Sequence, residues 1–203
     1  MHIKATPAKL QDEIIILNLG RYYEYDMSLY CGDLPGWEFP ENDEYRSEGI
    51  TLKLKSYFTE PNHYPFLIRV NSELAGFAMV YRPTDPPVTD WRIGEFFILN
   101  KFKGKGIGQT VAHQLFGQFQ GKWSVPVIPQ NQGALAFWRK AIQKHVSGAF
   151  TENYVTLYDP NPIEMLILQF ESRIPTTDDF SGRRQAPEQS AHALTHFGRT
   201  SKP

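Results

Sequence analysis

Glu95 and the run Lys103-Gly104-Lys105-Gly106-Ile107-Gly108 are the residues whose types and positions ask for chemistry. Glu95 lies in the apolar stretch "IGEFFIL" at 93–99. A carboxylate among Ile, Phe and Leu is costly to bury unless it is used or paired. It can serve as a general base, or be structural, tied to Arg92 or to a loop amide. The three glycines at 104, 106 and 108 stand where this apolar run stops and a helical pattern begins. A strand, a glycine turn and a helix in succession aim backbone N–H groups at a phosphate, with the helix dipole assisting. Taken alone, the turn reads equally well as a solvated connection.

The named phosphate motifs do not fit. A dinucleotide fingerprint needs a third glycine at 109, where Gln109 stands. The P-loop needs Gly-Lys-Ser/Thr, and counting from Gly104 gives Gln109-Thr110-Val111. The cradle is of another kind.

Several elements must position these residues. Ile93 to Leu99 reads as a strand buried on both faces, with Ile93, Glu95, Phe97 and Leu99 on one side and Gly94, Phe96 and Ile98 on the other. Ile107, Val111, Ala112, Leu115, Phe116 and Phe119 recur at helical spacing after the turn. Upstream, residues 7–31 are helical in part, with Leu10, Ile14, Ile15, Leu17, Leu19 and Tyr22 as the apolar face. Residues 32–47 are an acidic, turn-rich loop and 49–60 a second short helix. A hairpin turns at Asn71-Ser72-Glu73, and "TDPPVT" is a loop. Downstream, 123–131 is strand-like, but Pro126 and Pro129 imply incomplete pairing. Asn131 caps a helix that starts at "QGALAFWRK", and strands follow at 149–158 and 163–171.

The whole chain has 203 residues and a net charge of −1, without the basic face that general nucleic-acid binding wants. One cysteine, Cys31, allows no internal disulfide and suits a reducing compartment. It reads as a small packed thiol. No apolar run reaches ~18 residues and the N-terminus is too polar for a signal peptide, so a soluble, cytoplasmic protein without membrane contact is expected. The six histidines show no metal spacing, and His192 and His196 lack the Glu of a zinc-protease motif; no metal is expected. Residues 1–172 are expected to form one domain, with its motif core at 50–171. Residues 173–203 read as a polar, disordered tail.

The order of elements and two motifs resemble the GCN5-related N-acetyltransferases, the GNAT superfamily. "KGKGIG" at 103–108 is similar to that family's pyrophosphate-binding R/Q-x-x-G-x-G/A: Gly106 and Gly108 match, and Lys103 departs mildly at the first position. "NQGALAFWRK" at 131–140 is similar to its second motif. Asn131, Ala134 and Phe137 match, and Trp138 stands where Tyr is usual. The resemblance implies an α/β (α+β) fold with a mixed central sheet of six to seven strands, helices on both faces and a V-shaped split between the fourth and fifth strands. It implies acetyl-CoA in that split as co-substrate. The pantetheine arm would lie along Phe97, Ile98 and Leu99, and the pyrophosphate on Lys103, Gly104, Lys105, Gly106, Ile107, Gly108 and Gln109. Asn131, Ala134, Phe137 and Trp138 would contribute from the second motif.

The activity implied is acetyl transfer to a primary amine of a small molecule or protein, by direct attack. A protonated alkylamine has a pKa near 10, so a base is needed, and Glu95 is the candidate. The N–H of Ile98 or Leu99 is the expected donor to the oxyanion. The family's usual general acid is the Tyr replaced here by Trp138, whose indole cannot donate its proton at neutral pH. Tyr81 or Tyr154 could substitute, or the thiolate could leave unassisted. The alternative function is a non-catalytic acyl-CoA-binding module. A tRNA-acetylating toxin of the same fold would want a basic surface, which the net charge does not offer. From Glu24 to Glu44 acids stand at 24, 26, 33, 38, 41, 43 and 44, with no Lys or Arg. Such a field would attract a cationic acceptor; a solvated acidic loop accounts for it equally. Oligomeric state is left open.

Overall fold

The structure, a computed structural model, describes residues 1–35, 37, 38, 41, 48–85, 87–146, 148–158 and 162–173. The tail expected from 173 onward lies, Arg173 apart, outside the described residues. In chain order the elements are β1 (Ile3–Pro7), α1 (Glu13–Cys31), α2 (Glu48–Thr59), β2 (His63–Val70), β3 (Glu73–Tyr81) and β4 (Trp91–Ile98). They continue as α3 (Ile107–Gln118), β5 (Gly121–Val127), α4 (Gln132–His145), β6 (Thr151–Tyr158) and β7 (Pro162–Ser172). One seven-stranded sheet runs in the order β1-β2-β3-β4-β5-β7-β6. Every neighbouring pair is antiparallel except β4 and β5.

Helices cover both faces. The α3 and α4 side buries Val111, Leu115, Phe116, Leu135 and Ile142 against Phe66, Ile68, Val80, Ile93 and Val125. The α1 and α2 side buries Ile16, Leu19, Leu54 and Tyr57 against Leu67, Phe77, Met79 and Phe97. The β2–β3 hairpin turns on Asn71 and Ser72, at φ 48° and 71°, the two positive angles that a tight two-residue hairpin loop demands. Glu73, read with the turn, is the first residue of β3.

Three expectations are corrected. Residues 3–7 form a strand that the sequence reading passed over, paired from Ile3↔Val70 to Pro7↔Phe66. The face assigned to the first helix holds only in part: Leu19 is buried and Ile15 and Leu17 pack against the core, but Leu10, Ile14 and Tyr22 are exposed, and Ile16, outside that face, is fully buried. Helix α1 is apolar on two sides, with Ile14, Tyr22, Tyr25 and Leu29 making the outer one, so periodicity alone could not choose between them. Finally, Ile93 does not share a side with Glu95. The pairing jumps from Met79↔Glu95 to Val80↔Ile93, so Gly94 is the extra residue of a β-bulge. Gly94 and Glu95 both face α1 and α2, and Ile93 turns to the other core. A Cβ on Gly94 would lie 1.9 Å from the Tyr57 hydroxyl, so a larger residue would have to displace that buried ring.

Strands β4 and β5 pair only at Trp91↔Trp123 and Arg92↔Ser124. Beyond those residues they part. Pro126 lies past the last pair, where β5 keeps β7 as its one strand partner, consistent with a residue that has no N–H to give.

Candidate active site in the split of the sheet

The closed end of the split is locked by side chains. Arg92, only 1% exposed, donates to Ser124 Oγ (3.1 Å), Tyr81 Oη (3.2 Å), Asp85 Oδ2 (2.7 Å) and the carbonyls of Asp85 (3.3 Å) and Pro87 (3.0 Å). Thr89 Oγ1 lies 2.9 Å from Ser124 Oγ, and Trp91 Nε1 donates to the Gln120 carbonyl.

The open end leaves backbone unspent. The Leu99 amide donates to Ala75 O at 2.9 Å, and Phe97 pairs with Phe77. The alternation of an antiparallel ladder then turns the N–H and C=O groups of Phe96 and Ile98 away from β3, toward the split. Of the two amides named as oxyanion donors, Leu99 is therefore already engaged and Ile98 is the one that faces the opening.

The glycine turn lies at the end of β4. Gly104 and Gly106 take φ 75° and 76°, a left-handed conformation that side chains with a Cβ rarely adopt. A Cβ at either would meet no protein atom within 4 Å, so the requirement is conformational. Gly106 precedes α3 without any side-chain cap, and the first intrahelical bond runs from Thr110 N to Gly106 O. Among the described residues, the amides of Gly104 through Gln109 have no protein acceptor. That is the donor set and dipole end suited to a phosphate group. The two lysines are not simply loose cations: Lys103 Nζ holds Asp26 of α1 at 2.7 Å, and Lys105 Nζ donates to Lys101 O.

Across the split, Asn131 caps α4, its Oδ1 accepting from Ala134 N at 2.9 Å. Phe137 stacks on Phe96 with centroids 5.8 Å apart, and Gly108 abuts the Phe137 ring. Trp138 is 5% exposed and packs edge-on to Phe96 at 5.0 Å, with Phe116 and Phe137 also around it.

Glu95 is buried and is not tied to Arg92, as one expectation had it. Its Oε1 lies 2.8 Å from Lys53 Nζ of α2, and its Oε2 accepts a short hydrogen bond from the Tyr23 hydroxyl of α1. Burial, with the Glu95 carboxylate alongside, holds the Tyr23 phenol well above its ordinary pKa. Tyr23 thus remains a donor at neutral pH. Cys31 is buried beside them, and burial and Glu95 push its thiol up, which disfavours a thiolate. Lys53 and Tyr23 escaped the sequence reading. A signal existed for both: Lys53 falls on the Ile50-Leu54-Tyr57 stripe of α2, and Tyr23 continues Ile16 and Leu19 on α1. Of the tyrosines named as substitutes for the missing one, Tyr81 lines the cavity and Tyr154 is 64% exposed on β6.

Glu95, Lys53, Tyr23, Phe96 and Trp138 share one cavity of about 490 Å³. It runs from Pro126, Ile128, Asn131, Ala134 and Trp138 past Phe96 and Glu95 to Lys53, Tyr23, Cys31 and Trp37.

The family described as "Acetyltransferase (GNAT) family" matches residues 27–142. No curated protein matches the chain. Among solved structures, an acetyltransferase from Thermus thermophilus is 17% identical, covering 83% of this chain and 96% of its own, with a TM-score of 0.55. The aminoglycoside acetyltransferase AAC(6')-Ib in complex with coenzyme A is 15% identical, covering 91% and 100%, with a TM-score of 0.57. A spermidine N-acetyltransferase chimera from Vibrio cholerae and hSSAT is 12% identical, covering 85% and 96%, with a TM-score of 0.52. These likenesses are of fold. The match over more than half of the chain, the split between β4 and β5 and the glycine cradle at its rim lead to one statement: the chain belongs to the GNAT family of acetyltransferases.

Proposed function

We propose that the protein transfers the acetyl group of acetyl-CoA to a primary amine by direct attack, with Glu95 as general base. The observation that carries this reading is the position of Glu95, a buried carboxylate on β4 beyond its last pair with β5, next to Phe96, whose backbone faces the open split. Acetyl-CoA supplies an activated thioester. The amides of Gly104 to Gln109 would hold its pyrophosphate, and the Phe96 and Ile98 backbone its pantetheine arm. The Ile98 amide is then the donor nearest the thioester oxygen, since Leu99 is engaged with Ala75. Glu95 takes a proton from the incoming ammonium, and the freed nitrogen attacks. Two structures of similar fold, named for aminoglycoside and spermidine acetylation, support an amine acceptor.

Trp138 supports the second reading, a module that binds acyl-CoA without turning it over. Its ring is packed among three phenylalanines and brings no transferable proton to the place where the family has Tyr. A CoA-release assay against amino acids, polyamines, aminoglycosides and peptides, run beside thermal shift with acetyl-CoA, separates the two. Release with any amine is expected. A thermal shift without release from any amine gives the module reading, and the absence of both removes acetyl-CoA as ligand.

A further inference from the structure

We propose that the acceptor is an α-amino acid with an apolar side chain, its ammonium on Glu95 and its carboxylate on Lys53. The proposal rests on the transferase reading above. The acceptor end of the cavity presents a matched pair of opposite charges, Lys53 Nζ and Glu95 Oε1, 2.8 Å apart. Tyr23 holds the other carboxylate oxygen, so Oε1 is the one turned to both Lys53 and the ligand. The Lys53 side chain is 35% exposed against 6% for Glu95. The ammonium therefore borders the cavity while the carboxylate forms its floor.

A zwitterion laid head to tail on such a pair gives its ammonium and its carboxylate each a charge-assisted contact of opposite sign. A polyamine gains less: the carboxylate is already compensated, and each further ammonium meets Lys53. Two acids of the segment that argued for a cation are engaged within the protein, while Asp33, Glu38 and Glu41 are exposed on its surface. Glu24 is buried and Asp26 binds Lys103. The described walls beyond the ion pair include Met27, Leu34, Trp37 and Ile50, which suit an apolar side chain.

The reaction balances without any further reactant. The C–N bond forms and the C–S bond breaks. Of the two protons that leave nitrogen, one passes to Glu95 and on to solvent, and the other ends on the CoA sulfur.

The test compares phenylalanine, leucine and methionine with phenethylamine, which is phenylalanine without its carboxylate, and with spermidine. Wild type and Lys53→Met are both assayed. In wild type, kcat/KM for phenylalanine should exceed that for phenethylamine by about tenfold or more, the scale of one hydrogen bond to a charged group. Spermidine should be the poorest acceptor. In Lys53→Met the ratio should collapse toward one, chiefly through KM for phenylalanine. A merely structural Lys53 would lower both substrates together and leave the ratio intact, which overturns the proposal. So does phenethylamine or spermidine matching phenylalanine in wild type, or no acetylation of any amino acid. If another amine then releases CoA, only the acceptor assignment falls. If acetyl-CoA also gives no thermal shift, the transferase reading falls with it. Should Lys53→Met fail to fold, Lys53→Gln and the wild-type ratio still decide.

Discussion

Arg92 and Glu95 are three residues apart on one strand, and both are buried charges, yet they are held in opposite ways. Arg92 is fastened by five hydrogen bonds, two of them to backbone carbonyls of the loop that precedes β4. Glu95 is held by the tips of two long side chains on two different helices, Tyr23 and Lys53. A charge satisfied by fixed backbone is committed to the fold. A charge satisfied by side-chain ends can exchange partners for a ligand at little structural cost. The bulge at Gly94 marks the change from one regime to the other.

That contrast can be broken at either end. The largest effect is expected at Glu95: Glu95→Gln should lower turnover by ~10²–10⁴-fold, measured as CoA release at neutral pH, with acetyl-CoA binding retained. Full activity from pH 6 to 9 would make Glu95 as structural as Arg92. Arg92→Met should do the reverse. It strips the closed end of the split of its anchor and should reduce stability by about 3 kcal/mol, read as a lower urea midpoint. A smaller loss than that of Glu95→Gln would mean that the two roles are exchanged.

Gly106→Val sharpens the comparison at the rim. The residue would be forced to φ 76°, at a strain of roughly 1–2 kcal/mol, and its side chain would stand over the row of amides. We expect the thermal shift given by acetyl-CoA to disappear while the variant itself stays folded. The smallest effect is expected at Trp138→Tyr. The cavity already holds two phenols, Tyr23 and Tyr81, so kcat should change far less than the ~10²–10⁴-fold that a sole general acid contributes. A larger rise would show that departure of the thiolate had been limiting.

What the sequence disclosed follows the range of the interactions. The glycine cradle, the Asn131 cap and the turn at Asn71-Ser72 depend on local backbone geometry, and each was legible from residue type. The strand Ile3–Pro7 was not. It is short, lies at the sheet edge, and exists through partners more than fifty residues away. The side taken by Ile93 depends on a one-residue bulge that alternation cannot reveal. Lys53 and Tyr23 meet Glu95 from distances of 42 and 72 positions, through the packing of two helices on one sheet. A lysine on an apolar helical stripe was the available clue, but the partner it implies is set by tertiary structure.

The early parting of β4 and β5 gives this sheet four edges where an open sheet has two. Besides the outer strands β1 and β6, it has an inner pair, the exposed rows of β4 and β5. Edges invite strands from other molecules, and proteins usually blunt them. Here Pro126 blunts one inner edge, and Phe96, stacked on Phe137 and edge-on to Trp138, lies on the other. Edges blunted in this way would take a thin, extended chain more readily than a full β-strand. The same exclusion that guards against self-association would then also sort ligands by cross-section.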